Sequence, residues 1–379
     1  MSKTLLRSLL CLGTAFGLFA CSDSGTSSND DPGSSVEESS ESNGSSEADL
    51  SSSELLSSET LPSSSATNGC ANTAPLARIV GYLPYYRTGW IGRGDWSKLT
   101  HLCLAFFNPD DNGHFSSKFE GAALSAAIDS AKAHGIKVLA SIGGGGEGGD
   151  KEAWATLLAE GNTARLADSL AALVARLGID GVDVDLEYTS SPASYATAFD
   201  SRYEPFLVAL RSALGDSRLI TAAVANWVGS KFTDGALAKM DFINVMSYDN
   251  KGTWTGKGEH STYASAMQDA NYWVNSRGLP AANVVVGLPF YGYYWSTDPG
   301  DKTGELTASQ VLSLWPDHAD EDYFTVEKDG FQKTVSWNSA KTIDKKSCFA
   351  RNFGGAMIWE LGQDQNDNSF LNVVAAHRD

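Results

Sequence analysis

Eight short runs of apolar and largely β-branched residues recur along this chain, at positions 78–83, 101–107, 136–142, 181–188, 219–225, 242–248, 284–289 and 354–359. Segments with the helical spacing of Ala and Leu lie between most of them. The clearest covers 164–177 and is followed by Gly178; others cover 122–133 and 261–277, the last followed by Gly278. A Gly just past a periodic segment suits the left-handed residue that closes a helix. Strand–helix alternation implies a parallel sheet with right-handed crossovers, and eight repeats are the number that closes a barrel. The expected fold is therefore an α/β protein, a (β/α)8 barrel over residues 71–379. An open, doubly wound sheet would favour a Gly-rich phosphate turn after the first strand. The turn here, Gly81 to Arg87, is aromatic instead, and the Gly-rich run 143–146 lacks the Lys-Ser/Thr that holds a phosphate.

Before the barrel, the chain has a different character. Lys3 and Arg7 precede an apolar run at 9–20, too short to span a membrane comfortably and of the length of a signal-peptide core. The run ends in Leu18-Phe19-Ala20-Cys21, which resembles a bacterial lipobox, so residues 1–21 are expected to be a signal peptide with Cys21 as the lipidated residue. A diacylated Cys anchors a protein to a membrane without spanning it. Residues 22–70 are rich in Ser, Glu, Asp, Asn and Gly. Between Ser22 and Asn68 there are ten acidic residues and no Lys or Arg. Such a segment cannot bury enough apolar surface to offset its folding entropy, and it is expected to be a disordered, self-repelling tether. The protein would then be exported and held at the outer membrane or cell surface.

The total formal charge is −18, and the part after the tether keeps about −10. Nucleic-acid binders carry basic patches, so nucleic acid is excluded as a partner and a neutral ligand fits. Of the five Cys, Cys103 lies in an apolar run and reads as a buried thiol. Cys70 and Cys348 precede the first and eighth strands by similar distances, and those strands are neighbours in a closed barrel. A Cys70–Cys348 disulfide is expected in an oxidising compartment. No Cys or His spacing suggests a metal site, no cofactor is expected, and the protein is expected to be a monomer.

The fourth strand carries the chemistry. In Asp180-Gly-Val-Asp183-Val-Asp185-Leu-Glu187-Tyr188, alternation puts Asp183, Asp185 and Glu187 on one face and Val182, Val184 and Leu186 on the other. The apolar face should pack on helices, which turns three carboxyls into the barrel, about 6.6 Å apart along the strand. Three acids that close in a low-dielectric interior cannot all be ionised. Glu187 is nearest the C-terminal end, where barrel active sites open, and a raised pKa there suits a general acid. The rival readings are a solvated acidic strand, which would not alternate so strictly with Val, Val and Leu, and a Mg²⁺ or Ca²⁺ site built of hard oxygen ligands.

These residues match the DxxDxDxE signature of glycoside hydrolase family 18, which the chain resembles from about Arg78 to its C-terminus. Ser141-Ile-Gly-Gly144 is similar to the family's SxGG, Met246-Ser-Tyr248-Asp249 to its MxYD, and Gly287-Leu-Pro-Phe-Tyr-Gly292 to its seventh strand; Trp359 stands where the family has its eighth-strand Trp. The resemblance implies a secreted chitinase that cuts β-1,4-linked N-acetylglucosamine polymers (chitin and chitooligosaccharides) by a substrate-assisted, retaining mechanism. Glu187 would be the acid and then the base, Asp185 would align the acetamido N–H, Asp183 would share a proton with Asp185, and Tyr248 would donate to the acetamido oxygen. Asp249, Met246, Trp359, Tyr82, Phe106, Trp227 and Trp254 would bind substrate, with Tyr293 and Trp295 as further stacking candidates. Asp180, Gly143 and Gly144 would be structural.

Two departures from the family pattern bear on function. Leu186 replaces a Trp common in chitinases, at a position facing the helices. The crossover between Gly292 and Gly354 has only about sixty residues, which is short for a full α+β insertion and points to a shallow groove and endo attack. The alternatives are an endo-β-N-acetylglucosaminidase acting on N-glycans, a hydrolase of bacterial wall glycan, and a non-catalytic chitin-binding lectin, which would typically have lost Glu187.

Overall fold

The computed structural model describes residues 72–378, apart from 110–114, 118, 120, 146–149 and 302. Cys21, the 22–70 segment and Cys70 lie outside the described residues. Eight parallel strands close into a barrel: β1 (Ile79–Pro84), β2 (His101–Ala105), β3 (Lys137–Gly143), β4 (Gly181–Asp185), β5 (Leu219–Val224), β6 (Phe242–Val245), β7 (Val284–Pro289) and β8 (Gly355–Trp359). They pair in sequence order, and β8 closes on β1 through Ile79–Ala356, Val80–Met357 and Gly81–Ile358. The sequence runs coincide with the strands to within a residue, except that β2, β4 and β6 stop two or three residues before their runs do. β4 ends at Asp185 and β6 at Val245, so Glu187 and Tyr248 stand beyond the last strand residue.

Alternation sorts the core into two shells. Val182, Val184 and Leu186 are fully buried with the helices in an outer apolar cluster, each of which stabilises the fold by roughly 1.5–3 kcal/mol relative to an exposed side chain. The inner shell contains Val80, Tyr82, Cys103, Leu139, Tyr248 and Met357. The helix Thr163–Leu177 ends at Gly178 with φ +60, and Gly278 has φ +71, as the spacing predicts. The segment read as helix over 261–277 is α-helical at Tyr263–Asn271 and widens to a π-helix at Tyr272–Ser276.

The seventh crossover corrects the sequence reading. Its residues do build an α+β insertion, a four-stranded antiparallel sheet of Tyr291–Ser296, Thr303–Thr307, Tyr323–Lys328 and Phe331–Ser336 with the helix Ala308–Leu314. Short hairpins make this economical, so crossover length does not argue for an open groove. Cys103 is a buried free thiol, and Cys348 is disulfide-bonded to a partner outside the described residues. Among the described residues no helix is long and apolar enough to cross a membrane.

Candidate active site

Asp183 is the node of the barrel interior. Its Oδ2 accepts hydrogen bonds from Tyr82 Oη and Ser141 Oγ, both at 2.8 Å. Its Oδ1 accepts from Thr221 Oγ1 at 2.5 Å and Asn244 Nδ2 at 3.3 Å. Register explains part of this set, since Ser141 and Thr221 sit directly beside Asp183 on β3 and β5. Four donors fill a carboxylate's acceptor positions. Burial pushes the Asp183 pKa up, and the four hydrogen bonds pull it down. No hydrogen bond joins it to Asp185.

Asp185 differs. It is buried, and its Oδ1 has no hydrogen-bond partner. Burial raises its pKa well above the usual carboxylate range, with further increments from Glu187 and Asp183 and an opposing pull from Lys151. Its backbone oxygen accepts from Gly144 N at 2.7 Å. Gly143 is required here, because it has φ +95 and a Cβ on it would lie 2.3 Å from that same oxygen. Glu187 follows at the rim. Burial raises its pKa, Asp249 adds to the rise, and Lys151 opposes it. An acid held protonated above its ordinary range beside a carboxylate suits proton donation at near-neutral pH. Asp180 is structural: it receives Lys137 Nζ and Val138 N, both at 2.9 Å, and ties β4 to β3.

Two strands round the barrel from β4, the end of β6 presents Tyr248 and Asp249. The buried Tyr248 hydroxyl faces Met357 Sδ at 3.9 Å, a weak acceptor. Asp249 has φ +64, a left-handed conformation that Asp tolerates better than most residues. Its Oδ1 accepts from the hydroxyls of Tyr291 and Tyr293, the latter at 3.0 Å. Both tyrosines belong to the insertion. Buried His260 stands 3.8 Å from the same oxygen, and burial holds its pKa down.

The aromatic candidates divide. Trp359 is half-buried at the end of β8, with Tyr82 and Phe106 at centroid distances of 5.5 and 5.9 Å. The peptide bonds Ala105–Phe106 and Trp359–Glu360 are cis. Met246 is half-buried and packs against the same inner cluster. Trp227 and Trp254 are 57% and 62% exposed, and Trp254 touches Tyr293 edge-on at 5.5 Å. Tyr293 and Trp295 are buried rather than offered as open stacking faces. Among the described residues no group of three or more His, Cys, Asp or Glu is placed to hold a metal ion.

Sequence reasoning missed several contributors. Asn108 clamps Gly143 through both its amide atoms, at 2.7 and 3.0 Å. Thr221 and Asn244 complete the Asp183 set, and no motif marked them. Lys151 begins the helix Lys151–Leu158, capped by Asp150. Its Nζ is enclosed 5.1 Å over the Tyr195 ring without a hydrogen-bond partner, and its charge acts on both Glu187 and Asp185. Lys151→Met therefore removes a cation that lowers the Glu187 pKa, leaving burial and Asp249 to raise it. Glu187 must be protonated to act as the acid, so the alkaline limb of the kcat/KM profile is expected to move to higher pH. A limb that stays in place or moves down would show that Lys151 does not act on the acid.

Comparison with known proteins agrees with this geometry. The family model for glycosyl hydrolases family 18 matches residues 78–364. The chain is 33% identical over 326 residues to a class V chitinase of Arabidopsis thaliana, covering 74% of this chain and 84% of the relative. It is 25% identical to chitinase A1 of Niallia circulans, of which it spans only 37%. The solved structure of the GH18 chitinase ChiB from the chitin utilization locus of Flavobacterium johnsoniae is 32% identical, with a TM-score of 0.69 over 80% of this chain and 94% of that one. With the motifs, the barrel and the carboxylate row in agreement, the chain belongs to glycosyl hydrolases family 18.

Proposed function

We propose that this protein is a chitinase that hydrolyses β-1,4-linked N-acetylglucosamine polymers with retention of configuration, using the substrate's own acetamido group as nucleophile. One observation carries the reading. Two buried polar atoms in the pocket lack a good partner of their own. They are Asp185 Oδ1, an acceptor with no donor, and Tyr248 Oη, a donor facing only a thioether. An acetamide offers the complementary pair, an N–H for Asp185 and a carbonyl for Tyr248.

The steps follow from those positions. Glu187 gives its proton to the glycosidic oxygen as the C1–O bond breaks. The acetamido oxygen, held by Tyr248, attacks C1 from the opposite face and forms an oxazolinium ion, whose N–H is held by Asp185. Holding the nucleophile in attack geometry is worth orders of magnitude in rate. Ionised Glu187 then takes a proton from water, which attacks C1 from the face the leaving group vacated and opens the ring. Two inversions give net retention. The exposed Trp227 and Trp254 supply open apolar faces for further sugar units, which supports attack on internal bonds. The same reading takes Cys21 as a lipid anchor and 22–70 as a tether at the cell surface, on sequence grounds.

The test offers the protein chitohexaose and a high-mannose glycoprotein side by side, with products read by mass. Shorter N-acetylglucosamine oligomers and an intact glycoprotein are expected, and glycans lacking the N-acetyl group should stay intact. Release of N-glycans with chitohexaose untouched would replace this reading by the endo-β-N-acetylglucosaminidase one.

A further inference from the structure

A second polar cluster is sealed beneath the β6 end of the pocket. Lys346, on the helix Ala340–Ala350, is 0% exposed. Its ammonium donates to Ser261 O at 2.8 Å, Ser261 Oγ at 2.6 Å and Asn338 Oδ1 at 2.7 Å. All three of its donors are used. The Ser261 hydroxyl donates in turn to the backbone oxygen of Ser247 at 2.6 Å, and Asn338 Nδ2 donates to Ser261 O at 2.7 Å. Four distant segments therefore meet at one charge: the residue after Met246, the return of the 250–260 excursion, the end of the insertion sheet, and the helix before β8.

A buried ammonium is unfavourable, and a Met of similar length would avoid the cost of desolvation. Burial pushes the Lys346 pKa down to about 7, against the pull of Asp322, Asp269 and Glu259. What the charge holds is informative. Ser247 is the residue before Tyr248 and Asp249, and Asp249 sits in a left-handed conformation that non-glycine residues populate sparsely. Such a conformation persists where the surroundings over-determine it. Asn250 N to His260 O at 2.9 Å, and His260 N to Ser336 Oγ at 2.9 Å, complete the frame on the far side of the same loop.

We propose that Lys346 is a positioning residue for hydrolysis: acting through Ser261 it fixes the Ser247 carbonyl, and with it the Tyr248 hydroxyl and Asp249 carboxylate that align the acetamido group. This role rests on the acetamido-directed reading given above. It separates Lys346 from the residues that touch substrate, and it makes the helix before β8 part of the apparatus that orients the nucleophile.

The experiment uses the full chain with Ser261→Ala, Lys346→Met and the double variant. It measures kcat and KM on chitotetraose, affinity for the thiazoline analogue of the cyclised N-acetylglucosamine intermediate, and thermal melting. A misplacement of the nucleophile is felt mainly in kcat, so each single variant is expected to lose about 10-fold or more in kcat. KM should change little and thiazoline binding should weaken. The double variant should be no worse than the weaker single, because both act through one connection. If Lys346→Met does not fold, Ser261→Ala decides by itself, since it deletes only the hydroxyl between the ammonium and Ser247. Variants that melt earlier yet keep wild-type kcat and thiazoline affinity while folded would overturn the proposal and leave the cluster a structural plug. A wild-type protein that cleaves neither chitotetraose nor a high-mannose glycoprotein and ignores the thiazoline would sink the acetamido reading itself, and the positioning role with it.

Discussion

Glu187→Gln is expected to lower kcat on chitooligosaccharides by roughly 10²–10⁴-fold, the range for removing a general acid–base, while leaving their binding intact. The substitution keeps the shape of the side chain and the hydrogen-bonding oxygen but deletes the only proton on the β4 face that stands at the rim. Burial holds the Glu187 proton above the ordinary carboxylate range, against the opposing charge of Lys151. The group is therefore still an acid at pH values where an exposed Glu has ionised. A Gln amide cannot deliver a proton to the leaving oxygen, nor later take one from water, so both halves of the reaction suffer. Reducing-end assays for kcat and calorimetry for chitotetraose affinity separate the two effects. Unchanged turnover would remove Glu187 from the mechanism, and lost affinity with unchanged turnover would make it a binding residue only.

Asp183→Ala is expected to be the most damaging substitution for stability, by about 3–5 kcal/mol. The carboxylate is the common acceptor for Tyr82, Ser141, Thr221 and Asn244. Its removal strands buried donors at about 1–3 kcal/mol apiece, reduced where two can turn to each other, and adds the cost of a cavity. For a domain of this size the melting temperature should fall by roughly 10 °C, read by calorimetry or circular dichroism. Asp183→Asn should lie between, because it keeps one acceptor oxygen and turns an amide donor toward hydroxyls that are already donating. A wild-type melting curve for Asp183→Ala would mean that the four donors have other partners.

The barrel and the acid row were legible because both are periodic. Strict alternation on β4 forces Asp183, Asp185 and Glu187 to one side, and the structure buries Val182, Val184 and Leu186 on the other. Strand ends were less legible. Apolar composition continues through Leu186 and Met246, whereas sheet pairing ends at Asp185 and Val245. Lys151 was invisible because a helix N-terminus carries no periodic signal for what lies across from it in space. The insertion was misjudged because its strands are short and two of them, Thr303–Thr307 and Tyr323–Lys328, are largely exposed. Their polar residues read as loop, and without that sheet Tyr293 read as a stacking candidate and not as a partner of Asp249. Exposure of Trp227 and Trp254 was equally beyond the sequence, since a Trp near a strand end reads the same whether it lines a pocket or stands outside it.

The grip of Tyr291 and Tyr293 on Asp249 has a consequence for anyone re-engineering this scaffold. The insertion cannot be treated as a detachable wall. Excising 291–336 to widen the groove, or grafting a foreign lobe from another barrel, would take away two phenol donors from a carboxylate in the pocket. A viable chimera has to carry both tyrosines across the splice, which places the first safe junction beyond Tyr293 rather than at the end of β7.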